Sequence, residues 1–122
     1  MCVRVLVADD AELIRRGIKL LLKDRDDISV IGEASNFPET IQKAAELLPD
    51  VLIIDLRMTA NANGELHSLT NGPMVVAISF DIGETAQAQA KRLGATKFID
   101  KMDLAEELVP TLLQLPPPNK PS

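Results

Sequence analysis

The chain contains no tryptophan and no tyrosine, and its 122 residues include three phenylalanines. With 46% hydrophobic and 2% aromatic residues, a core has to be built from Leu, Ile, Val and Ala, as buried α/β sheets favour. The scarcity of rings argues against a stacked flavin or nucleotide, and there is no Gly-x-Gly-x-x-Gly or Walker loop to cradle a nucleotide phosphate. Cys2 is the only cysteine, which excludes a disulfide or a cysteine-rich metal site within one chain; it reads as a small apolar residue at the start of a strand. The only histidine, His67, reads as an exposed side chain and not a phosphocarrier. No apolar run approaches the ~20 residues of a membrane span, and the apolar N-terminus meets Asp9 and Asp10 too early for a signal peptide. A reducing cytoplasm is the expected compartment. The formal net charge of −5 and pI of about 4.8 argue against nucleic acid held on a basic face.

This length suits one domain, which would bury roughly two-thirds of its unfolded surface. Strand and helix signals alternate five times. Apolar runs end at Ala8, Ile54 and Ile78, a less uniform run covers Ile28 to Ala34, and a short one covers Lys97 to Ile99. Between them, Ala11 to Lys23 places Leu13, Ile14, Gly17, Ile18, Leu21 and Leu22 on one helical face. Asn36 with Glu39 starts a second helix burying Phe37, Ile41, Ala44, Ala45 and Leu48. A weak third helix fits 64–70. Asp81 with Glu84 is expected to cap a fourth, closed by Gly94, and Asp103 with Glu106 a fifth, bent at Pro110. The pattern predicts a parallel sheet covered on both faces. Residues 1–115 form the expected domain, and 116–122 a proline-rich tail or the start of a linker.

In such a sheet the loops beyond the strands' carboxyl ends form the ligand crevice, so Asp9, Asp10 and Asp55 are predicted to meet there. Oxygen ligands with no Cys or His nearby select a hard cation such as Mg²⁺. Ser79, after the fourth strand, and Lys101, after the fifth, emerge at the same edge. Any one of them has an ordinary explanation as a cap, a turn or a surface charge. All five at the appropriate strand ends are hard to ascribe to chance.

Val-Leu-Val-Ala-Asp9-Asp10, Ile-Asp55-Leu-Arg-Met, Ile-Ser79 and Phe98-Ile-Asp-Lys101 resemble the motifs of the receiver domains of bacterial two-component response regulators. The resemblance covers residues 3–115. Val3-Arg4-Val5-Leu6, Ile14-Arg15-Arg16-Gly17, Gly32-Glu33-Ala34 and Pro49-Asp50-Val51 are most similar to the subgroup whose receiver precedes a LuxR-type helix-turn-helix domain. It implies the flavodoxin-like (βα)5 fold, with sheet order 2-1-3-4-5. By the same resemblance, Asp55 would accept a phosphoryl group from a sensor histidine kinase. Asp10, Asp55 and the backbone carbonyl of Arg57 would hold Mg²⁺, with Asp9 reaching it through water. Lys101 and Ser79 would contact the phosphoryl oxygens, and Phe98 would turn inward with Ser79 as a switch. A homodimer would form through the fourth helix, fifth strand and fifth helix, or through the first and fifth helices. The result is a self-catalysed phosphoacceptor and not a multiple-turnover enzyme.

The second half departs from the family pattern. Met102 replaces a proline that usually follows a cis bond, so a trans bond is expected and Lys101 is open to a different aim. Thr59 also stands in place of proline, the third helix is short, and Phe80 beside Ser79 replaces a small residue and could lie over the pocket. These departures favour the alternative of a pseudo-receiver that binds a protein partner without phosphorylation. A Mg²⁺-dependent phosphatase of the haloacid dehalogenase type is disfavoured, because Asp9-Asp10-Ala11-Glu12 lacks that family's Asp-x-Asp motif.

Overall fold

The computed structural model describes residues 2–59 and 72–115. Five parallel strands, β1 (Val3–Ala8), β2 (Ile28–Ala34), β3 (Val51–Asp55), β4 (Met74–Ser79) and β5 (Lys97–Asp100), lie in the order β2-β1-β3-β4-β5. The helices are α1 (Glu12–Leu22), α2 (Phe37–Leu47), α3 (Glu84–Leu93) and α4 (Leu104–Gln114). Short 3-10 turns occupy Leu56–Thr59 and Lys101–Asp103. The helix expected over 64–70, with His67, and the tail at 116–122 lie outside the described residues.

Alternation along the strands divides the core between the two sheet faces. Leu6, Ala8, Leu52, Ile54, Val75 and Ala77 face α2 and α3, whereas Val5, Val7, Ile53, Val76 and Ile78 face α1 and α4. The central strands carry apolar residues on both faces, so they read as unbroken apolar runs. At the edge, Gly32 lets α2 approach the sheet: a Cβ there would meet Leu47 Cδ1 at 2.8 Å.

Asn36 caps α2 as expected, its side chain accepting from Glu39 N at 2.8 Å while Glu39 Oε1 accepts from Ser35 N at 2.6 Å. Several expected details need correction. Leu13 is exposed, because α1 turns Ile18 and Leu22 onto the sheet. Ala45 and Leu48 are exposed too, and Thr40 and Leu47 pack inward in their stead; Leu48 has left the helical path for a left-handed conformation (φ 49°). Asp81 does not cap α3: its Oδ1 accepts from the N–H of Gly83, which is the N-cap residue itself. Asp103 precedes α4 without a side-chain cap, since Asp100 takes the capping role one turn earlier, accepting from Met102 N at 2.9 Å. Helix α4 runs from Leu104 to Gln114 across Pro110, an exposed residue that has no N–H to donate to the Glu106 carbonyl. Cys2 is exposed and stands just before β1.

Candidate functional site

Strands β1 and β3 are neighbours in register, Ala8 beside Ile54, and their ends deliver Asp9, Asp10 and Asp55 to one place. One carboxylate oxygen from each of the three lies within 4.8 Å of the others. Asp9 and Asp55 are fully buried, and Asp10 is exposed. The turn after β1 is fixed by three contacts: Asp9 N donates to Ala34 O (3.0 Å), Asp9 Oδ1 accepts from Ala11 N (2.8 Å), and the Arg15 guanidinium donates to Asp9 O (2.5 Å). Arg15 is itself paired with Glu33 on β2 at 3.1 Å.

Lys101 enters from the far side of the sheet. Its side chain is 1% exposed, and Nζ lies 2.7 Å from Asp9 Oδ2 and 3.3 Å from Asp55 Oδ2. There is no cis peptide bond among the described residues, so the bond before Met102 is trans. Lys101 nonetheless reaches the site, because the Asp100-capped turn sets its direction. Burial pushes the Asp9 carboxyl above its ordinary range; the Lys101 ammonium and the Ala11 N–H oppose this, and the Asp55 charge adds to it.

The structure therefore brings four of the predicted residues together and places the rest around them. Ser79 ends β4 one residue beyond Ile78, the register partner of Asp55, and its buried Oγ accepts from Asp81 N at 3.0 Å. Phe80 is 57% exposed, with the centroid of its ring 5.2 Å from Lys101 Nζ. Phe98 is half-buried beside a surface hollow between α3 and α4 that Ile82, Gln87, Asp100 and Glu107 also line. Arg57, expected to act through its backbone carbonyl, also brings its guanidinium to the acids: Nη2 lies 3.3 Å from Asp10 Oδ1 and Nε 3.6 Å from Asp55 Oδ2. Neither that guanidinium nor Arg15 was legible as part of the site, since both reach it across distances that helix and strand spacing do not encode.

The donor set suits a hard cation: every atom is oxygen, and among the described residues the buried Asp9 Oδ2 and Asp55 Oδ2 are met only by cationic nitrogens, Lys101 Nζ at 2.7 and 3.3 Å and Arg57 Nε at 3.6 Å from Asp55 Oδ2.

This constellation on a doubly wound sheet defines a class, and sequence comparison supplies its name. Residues 5–112 match the response regulator receiver domain, and the chain belongs to that family. Its relatives include the transcriptional regulatory protein LiaR of Bacillus subtilis, 32% identical over 110 residues, covering 87% of this chain and 52% of LiaR. They also include a protein-glutamate methylesterase/protein-glutamine glutaminase of Caldanaerobacter subterraneus, 36% identical over 104 residues and covering 81% of this chain but 28% of the relative. The chain thus spans about half or less of these proteins. Among solved structures, the response regulator domain of Thermotoga maritima CheB superposes with a TM-score of 0.79 at 30% identity, covering 93% of this chain and 96% of that domain. The receiver domain of the putative response regulator NarL from Mycobacterium tuberculosis gives 0.75 at 26% identity, covering 93% and 98%.

Proposed function

We propose that this receiver domain accepts a phosphoryl group on Asp55 from a sensor histidine kinase and thereby changes a protein-interaction surface. The observation that carries this reading is the buried Asp55 carboxylate at the end of β3, with Lys101 Nζ 3.3 Å from its Oδ2 and Asp9 and Asp10 alongside. A carboxylate oxygen of Asp55 attacks phosphorus as the P–N bond of the phosphohistidine breaks; the imidazole departs and an acyl phosphate remains. Lys101 neutralises the developing charge on the phosphoryl oxygens, and the Ser79 hydroxyl turns to donate to one of them. Asp10, Asp55 and the Arg57 carbonyl are the residues to hold Mg²⁺, with Asp9 reaching it through water. When bound, the ion supplies further neutralisation of the transferred group.

Movement of Ser79 and Phe98 would alter the face formed by α3, β5 and α4, which with α1 and α4 offers the two routes to a homodimer. Residues 1–115 make up the receiver in this reading, and 116–122 the tail or linker start. No helix among the described residues is long and apolar enough to cross a membrane, and the proposed setting is cytoplasmic, without direct nucleic-acid binding by this domain.

Intact mass after incubation with Mg²⁺ and acetyl phosphate tests the proposal. A single phosphoryl adduct should form and disappear in Asp55→Asn; phosphate on His67 or Ser79 would overturn it. One observation favours the rival pseudo-receiver: the Phe80 ring lies beside Lys101. No adduct in either the wild type or Phe80→Ala would make partner binding without phosphate the better reading.

A further inference from the structure

The Arg57 guanidinium stands against two carboxylates, those of Asp10 and Asp55, at 3.3 and 3.6 Å. These are the same two side chains assigned above as direct metal ligands. Asp9, assigned a water-mediated role, is instead matched to Lys101 at 2.7 Å; Asp55 is shared, with Lys101 Nζ also 3.3 Å from its Oδ2, so Asp10 is the acid that Arg57 alone attends among the described residues. The two cations differ in burial: the Lys101 side chain is 1% exposed, whereas that of Arg57 is 69% exposed.

We infer that the Arg57 guanidinium is a tethered competitor of the divalent cation, so that metal enters this site by displacing it. The inference rests on the Mg²⁺ reading above. Mg²⁺ needs its oxygens at about 2.0–2.1 Å in near-octahedral array, and a guanidinium held against the same oxygens obstructs that approach. Charge acts in the same direction. Three carboxylates facing Lys101 and Arg57 are nearly balanced, and adding a dication with Arg57 still in place would leave the site positive. The guanidinium can leave without disturbing the rest, because the backbone N–H of Arg57 donates separately to Asp55 Oδ1 at 3.1 Å and keeps the turn in place. Arg57 would thus hold the acids together before metal arrives and raise the metal concentration at which the site fills.

Isothermal titration of Mg²⁺ into the metal-free full chain tests this with wild type, Arg57→Ala and Arg57→Gln. Both variants should bind Mg²⁺ about three- to tenfold more tightly, the range expected for losing two partly exposed ion pairs. Thermal melting in a chelator should fall slightly in the variants, while melting at saturating Mg²⁺ should match wild type. If wild type binds and the variants bind equally or more weakly, or lose stability equally with and without Mg²⁺, Arg57 is not a competitor and the metal reading stands. If no form binds Mg²⁺, the metal reading itself fails and takes this inference with it. Binding seen only in the variants would be its strongest support.

Discussion

Gln89 Nε2 donates to Thr59 Oγ1 at 2.7 Å and to Leu56 O at 3.0 Å, tying helix α3 to the turn that follows Asp55. The Thr59 hydroxyl in turn donates to Leu56 O at 2.8 Å, and Thr59 is buried. Three hydrogen bonds thus hold the turn after Asp55. Gln89→Ala and Thr59→Val should each lower stability by about 1 kcal/mol. The double variant should lose less than the sum, because the two changes remove one shared interaction. Urea unfolding followed by circular dichroism measures this in a chain without tryptophan or tyrosine; additive losses would show that the two groups act independently.

Lys101 is the buried counter-charge of the site. Lys101→Met leaves Asp9 and Asp55 buried with no cation on the inner side and should cost about 3–5 kcal/mol. Adding Asp9→Asn should restore part of that loss by removing one of the uncompensated charges. A Lys101→Met protein as stable as wild type would mean that the ion pairs contribute nothing net.

Phe80 partly covers Lys101. Phe80→Ala should change stability by no more than about 1 kcal/mol, the scale of a partly exposed cation–π contact. It should speed both acyl phosphate formation from a small donor and its hydrolysis, since both need access to Asp55. Unchanged rates would place the ring outside the access path.

Glu33 lies 2.8 Å from Lys19 Nζ and 3.1 Å from Arg15 Nε. The hydrogen bond from Lys19, reinforced by Arg15 and opposed by partial burial, holds its carboxyl below the ordinary value of 4.5. The folded value being lower than the unfolded one, this contribution is complete above about pH 4.5 and is lost as pH falls through the depressed folded value. Glu33→Gln should therefore flatten the acid limb of the stability curve between about pH 5 and 3. With Glu33 one-third exposed and Lys19 more so, the interaction should be worth under about 1 kcal/mol at neutral pH. Melting temperature across that range provides the check, and parallel curves for the two proteins would count against it.

Much of this molecule was legible in one dimension. Buried parallel strands are apolar on both faces, so Val5–Ala8, Val51–Ile54 and Met74–Ile78 stood out as runs, and the topology of parallel strands required their carboxyl ends to share an edge. That alone placed Asp9, Asp10 and Asp55 together. Helical period identified α1 and α2 without determining which of two adjacent residues faces inward. Leu13 and Leu48 are as apolar as Ile14 and Leu47, and only the packing angle and the left-handed turn at Leu48 left the former pair in solvent. Asp100 caps the 3-10 turn before α4, while neither Asp103 nor Asp81 caps its helix with a side chain, because a hydrogen bond depends on where a turn aims an N–H and not on residue type alone. The Arg57 pairing with Asp10 spans 47 positions. Contacts of that kind follow from strands brought side by side, so the sequence determined the acidic site with Lys101 at its edge, while the tertiary structure decided that the Arg57 guanidinium also attends it.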